Sequence, residues 1–138
     1  MNRQSLESNL GFLDIRTCYQ KIAFDFCKYY YRIWDTNFPM IKDVYSNNPN
    51  ITYFDQNFNN INSWYNYINN YQGVNKFEHI NFKGTAHVLD SSRILIHVTG
   101  TITANNSIYW KKYSETIVIR KNIWDKWYIT NSIFKLIL

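Results

Sequence analysis

Apolar residues change their spacing once along this 138-residue chain. Up to about residue 71 they recur every three or four positions, and from residue 77 onward every two. The first period marks amphipathic helices and the second marks strands. Ile15, Cys18, Ile22, Phe26, Tyr30 and Ile33 trace one face of a helix over residues 15–35, which Ala23 and Trp34 widen and Asp14 caps. Asn37, Phe38 and Pro39 open a second, short helix whose buried side is Met40, Ile41, Val44 and Tyr45. The cluster at 47–50 predicts a turn, residues 51–54 a short strand, and residues 60–71 a third helix. That helix turns Ile61, Trp64, Tyr65 and Ile68 inward, and Gly73 ends it. Long strands are predicted over residues 77–89, 93–103, 109–120 and 125–138, with turns between them. Helices followed by consecutive strands give an α+β domain, with a curved antiparallel sheet wrapped around three helices.

The strand faces carry a further expectation. Ile94, Ile96, Val98 and Ile102 share one side, and Leu95, His97, Thr99, Thr101 and Thr103 the other. Tyr113, Glu115, Ile117 and Ile119 alternate with Ser114, Thr116, Val118 and Arg120. On the last strand Tyr128, Thr130, Ser132, Phe134 and Leu136 alternate with Trp127, Ile129, Asn131, Ile133 and Lys135. Apolar residues on both faces suit a sheet covered on both sides, so a second subunit is expected against the outer one.

Composition narrows the class. With 46% hydrophobic residues the chain is too apolar for disorder, and no apolar run is long enough to span a bilayer. The first ten residues are polar and lack a secretory signal, so an intracellular protein without membrane insertion is expected, with residues 1–14 a flexible arm and residues 15–138 one domain. Cys18 and Cys27 fall on opposite sides of the first helix, about 13 Å apart, which excludes a bond between them while the helix is intact. They form no zinc spacing with His79, His87 and His97, and no cofactor is expected. The net charge of +5 is scattered rather than clustered, so direct nucleic-acid binding is not expected.

Three segments carry a family resemblance. Phe26-Cys-Lys-Tyr-Tyr-Tyr-Arg-Ile-Trp-Asp35 matches a first-helix pattern, Val44-Tyr45 precedes Asn50-Ile-Thr-Tyr-Phe54, and the chain closes with Trp127-Tyr-Ile-Thr-Asn-Ser-Ile-Phe-Lys-Leu-Ile-Leu138. In this order and spacing, over residues 15–138, the chain resembles the nuclear transport factor 2-like family. Its pattern is most similar to the small subunit of the mRNA export receptor. The resemblance implies a cone-shaped fold and a role at the nuclear pore, in nucleus and cytoplasm. It also implies a dimer with the similar domain of a large mRNA export receptor, or with itself. His97, Thr99, Tyr113, Glu115, Thr130, Phe134 and Lys135 are the expected interface residues, and Tyr19 the expected contact for phenylalanine–glycine repeats.

The alternative within the family is a homodimeric carrier of Ran-GDP. Its acidic set maps to Phe54, Asn105, Asn106 and Ser107, none of them acidic, and Asp55 is displaced by one. Amides and hydroxyls replace charge-assisted pairs poorly. A third alternative is an enzyme using the cone cavity. The inward strand positions read as Ile, Val, Phe and Ala, however, and the histidines as sheet surface. The expectation is therefore no carboxylate–histidine pair inside the cone and no enzymatic activity.

Overall fold

The computed structural model describes residues 13–71, 76–105 and 107–137. Helix α1, Ile15–Thr36, starts where Asp14 accepts from the Arg16 amide at 3.0 Å. It ends at Asn37, whose backbone leaves the helical region while its amide still donates to the Ile33 carbonyl at 3.0 Å. Phe38–Val44 is a 3₁₀ helix that buries Ile41 and Val44. Helix α2, Ile61–Tyr71, is capped by Asn60, whose Oδ1 accepts from the Asn62 and Ser63 amides at 2.8 and 3.2 Å. Its buried face is Ile61, Trp64 and Ile68. The expected stop at Gly73 lies outside the described residues.

Six strands follow in chain order: β1 Tyr45–Tyr53, β2 Gln56–Phe58, β3 Phe77–Asp90, β4 Arg93–Ala104, β5 Lys111–Lys121 and β6 Trp127–Leu136. They form one sheet in the order β2-β1-β6-β5-β4-β3. The sheet is mixed rather than antiparallel, because β1 runs parallel to β6. The turn expected at 47–50 lies within β1, where pairing with β6 breaks off between Tyr45 and Asn50. Pro49 has no amide to give a ladder and sits in that gap. Phe54 and Asp55 link β1 to β2, both with positive φ (52° and 68°), as a two-residue hairpin turn requires.

Helices and sheet enclose one core rich in rings. Trp34 sits at its centre, 4.7 Å from Phe77, 4.9 Å from Phe38 and 5.5 Å from Trp64. Ile94, Ile96, Val98, Ile102, Ile117 and Ile119 cover the inner sheet face. At Gly100 the Tyr113 ring crosses the strand so closely that an added Cβ would lie 2.9 Å from Tyr113 Cε1 and 3.0 Å from Phe82 Cα.

In β6 the strict alternation fails. Trp127 and Ile129 are buried, and so are Ser132 and Phe134. The register with β5 jumps from Val118↔Asn131 to Ile119↔Ile129, leaving Thr130 as an extra residue. A bulge of this kind swaps inside for outside beyond it.

Candidate functional site

The two helical tyrosines Tyr30 and Tyr31 and the strand residue Glu115 meet inside the core. Tyr30 donates to Glu115 Oε2 and Tyr31 to Oε1, both at 2.9 Å, and the Tyr30 and Tyr45 hydroxyls lie 2.6 Å apart. Burial pushes the Glu115 carboxyl up to about 7, and the two tyrosine hydrogen bonds only partly offset it. Burial, and then the charge of Glu115, hold the Tyr30, Tyr31 and Tyr45 hydroxyls well above the usual tyrosine range. The same two causes push the Cys27 thiol up to about 12, which leaves it protonated and unreactive.

A second polar pair lies at the end of α1. Asp35 Oδ1 is 2.6 Å from His79 Nδ1, and Asp35 Oδ2 accepts from the His79 amide at 2.8 Å. The His79 side chain is 1% exposed. Its ring stacks on Tyr31 at 4.5 Å, with Trp34 and Tyr113 edge-on at 5.6 and 5.5 Å. The expectation of no carboxylate–histidine pair inside the cone is therefore wrong, as is the placing of His79 on the sheet surface. Phe77 and His79 precede the β3 bulge at Asn81, where the strand still lies over the helices.

An open apolar cavity of about 410 Å³ occupies the cone mouth, lined by Tyr53, Phe54, Phe77, Ile102, Tyr109 and Phe134 among others. Neither carboxylate–histidine pair nor Glu115 lines it. Phe134 on the cavity wall stacks on Tyr113 at 5.4 Å, and Tyr113 in turn meets His79, so on this side two rings separate the cavity from His79. Phe54 and Ser107 lie on the cavity wall, while Asn105 is exposed and accepts from the Lys76 amide at 3.3 Å. Asn106 lies outside the described residues. Asp55 at this rim is bound to Lys135 at 3.5 Å.

Of the expected interface residues, Tyr113, Glu115 and Phe134 point inward and are fully buried. For Tyr113 and Glu115 the alternation is as read, but the helices cover their side. Phe134 is carried inward by the bulge at Thr130. His97, Thr99 and Lys135 are exposed and Thr130 half-buried. His97 Nδ1 contacts Thr116 Oγ1 at 2.9 Å. Tyr19, the expected repeat contact, is half-buried and packs on the core. The Glu115 cluster had a visible signal, an acid in the otherwise apolar series Tyr113, Ile117, Ile119. The Asp35–His79 pairing had none, since it joins residues 44 positions apart.

The Nuclear transport factor 2 (NTF2) domain model matches residues 22–136. The chain belongs to the NTF2 domain family. No curated protein sequence matches it. Among solved structures it is similar to nuclear transport factor 2 from Cryptosporidium parvum, at 18% identity and TM-score 0.74, covering 87% of this chain and 95% of that one. It is similar to the Bre5 cofactor complex of the yeast deubiquitinase Ubp3, at 19% identity and TM-score 0.65 over 86% and 97%. It is also similar to the hexachlorocyclohexane dehydrochlorinase LinA-type3 from Novosphingobium barchaimii, at 10% identity and TM-score 0.72 over 91% and 92%. At these identities the likeness shows a shared fold. That last protein is an enzyme, so this fold carries catalysis as well as transport. The expectation that the chain has no enzymatic activity is overturned by it.

Proposed function

We propose that this NTF2 domain is a nucleocytoplasmic transport component, the dimerising small subunit of an mRNA export receptor working at the nuclear pore. The observation that carries this reading is the outer face of β4–β6. Leu95, His97, Thr99, Ser114, Thr116, Val118, Asn131 and Ile133 form a continuous apolar and uncharged polar patch there, bordered on the same face by Arg93, Lys112, Arg120 and Lys135. Apolar and hydroxyl side chains on a flat sheet suit pairing with a similar sheet, whereas an exposed sheet usually carries its charges there. Homodimerisation is the competing form of the same contact. The cone mouth favours export over Ran carriage: Phe54 and Ser107 offer no carboxylate, and Asp55 is engaged by Lys135. Calorimetric titration with Ran-GDP at low salt, where residual electrostatics are strongest, tests the distinction. The reading expects no measurable heat and co-purification of a larger chain bearing a similar domain. Micromolar Ran binding would replace it with the carrier.

Asp35 and His79 favour a second reading, a proton-transfer enzyme. A carboxylate accepting from Nδ1 leaves the Nε2 lone pair as a base, and at least one solved structure of this fold is that of an enzyme. A substrate would have to displace Phe134 and Tyr113 to reach it. A shift of the His79 ring nitrogen NMR signals on adding a ligand that seats in the cone mouth would favour this reading, and unchanged signals would remove it.

A further inference from the structure

Pairing through the outer face of β4–β6 leaves one sheet edge uncovered. β3 is the last strand in the order, so one row of its backbone N–H and C=O groups faces away from the sheet. Near its start, Asp35 closes this row by accepting from the His79 amide. Beyond the bulge at Asn81, no group among the described residues outside the β3–β4 hairpin bonds the backbone of residues 83–90. Exposed edges are usually blunted by proline, by an inward-pointing charge, by a bulge or by cover. Residues 84–88, Gly-Thr-Ala-His-Val, carry no proline, no Asp, Glu, Lys or Arg and no bulge, and the next irregularity of the strand comes at Leu89.

Beside this edge an open cleft of about 420 Å³ runs between α1 and β3, lined by Ala23, Phe24 and Cys27 on the helix and by Gly84, Ala86 and Ile96 on the sheet. Phe24, 57% exposed, stands at its lip. Small residues on both walls make the cleft, and their places in the fold put it on the inner side of the open edge.

We infer that residues 83–90 of β3 are a strand-addition site for an extended peptide whose inward side chains fill the cleft between α1 and β3. An added strand bonds the free amides and sends every second side chain to the cleft side. A second copy of this chain, paired edge to edge through the same strand, would bring Gly84, Ala86 and Val88 to the inner side, and two of these three are too small to fill the cleft. A foreign segment with large aliphatic or aromatic side chains at alternate positions fills it. Lys83 stands at one end of the site, with Lys28 Nζ 5.2 Å over the Phe24 ring, and Asp90 stands at the other, so an acidic residue fits best at the Lys83 end of the peptide.

A random dodecapeptide library, displayed on phage and selected against the full chain, supplies the probe. Enriched peptides are synthesised and titrated against the labelled protein by NMR. The expected result is micromolar binding, an alternating apolar pattern in the peptides, and slowed amide exchange confined to residues 83–90. Gly84→Val is the test variant. A Cβ there meets Ile96 Cγ2 at 3.6 Å and the His97 carbonyl at 3.7 Å, ordinary contacts, so the variant folds while filling the cleft. It is expected to weaken binding by about tenfold or more, and Thr116→Glu on the outer face leaves it unchanged. Peptides that map to the cone mouth, no peptide that maps to β3, or undiminished binding to Gly84→Val would overturn the inference. Self-pairing of the free chain through β3 would overturn it as well, in favour of a second copy.

Discussion

Glu115 is buried with two hydrogen-bond donors and, among the described residues, no cation beside it, and that arrangement has a pH signature. Its carboxyl titrates at about 7 in the folded chain against 4.5 as an ordinary carboxyl. The folded state thus holds the proton more tightly. The stability this brings is fully present below pH 4.5 and is lost as pH rises through about 7, a change of about 3 kcal/mol. Exposed Asp14 and Asp90, held low chiefly by hydrogen bonds from Arg16 and from the Ser92 amide, act in the opposite sense and lose their contribution as pH falls. Subtracting a Glu115→Gln curve from wild type cancels them. Urea denaturation between pH 4.5 and 8 should show the wild type losing stability relative to Glu115→Gln, and parallel curves would refute the assignment. Asp35 makes a second prediction at this scale. Asp35→Ala strands the His79 amide and Nδ1 in the core and should cost about 2–3 kcal/mol, whereas Asp35→Asn, which keeps an acceptor, should cost less.

At the scale of elements, the close crossing of β4 and β5 is the point of least tolerance. Gly100→Ala would push a methyl group into Tyr113 Cε1 and the Phe82 backbone, and should cost about 1–3 kcal/mol in urea denaturation. A wild-type midpoint would contradict that packing. The elements also separate what the sequence makes legible from what it does not. Helix α1 and strands β3 to β5 follow from local periodicity, because burial of one face imposes it residue by residue. The family resemblance carried the cone. Three features depended on contacts distant in sequence and left no local trace. β1 runs on past Asn47 and Asn48 because β6 pairs with it on both sides of them, at Tyr45 and again from Asn50. The extra residue Thr130 turns Phe134 inward without any change in composition. His79 is drawn into the core by Asp35, which alternation alone cannot distinguish from surface placement.

For the whole molecule, the proposed pairing rests on the apolar and hydroxyl-bearing middle of the outer face of β4–β6, which basic residues border. Ile133, beside Thr116 on this face, is 49% exposed, a large side chain that a monomer would leave in water. An interface there of standard size buries about 1,600 Å² in total. Asp35–His79 and Glu115 lie on the other side of the sheet, so a change on the outer face disturbs neither. Sedimentation equilibrium of the purified chain, alone and mixed with the large export-receptor domain, tests this most directly when wild type is set beside Ile133→Glu. The account predicts a two-domain complex for wild type, with itself or preferentially with the larger domain. It predicts a folded monomer for Ile133→Glu, with an unchanged urea midpoint after dissociation. A wild-type chain that stays monomeric at high micromolar concentration in both experiments would contradict it.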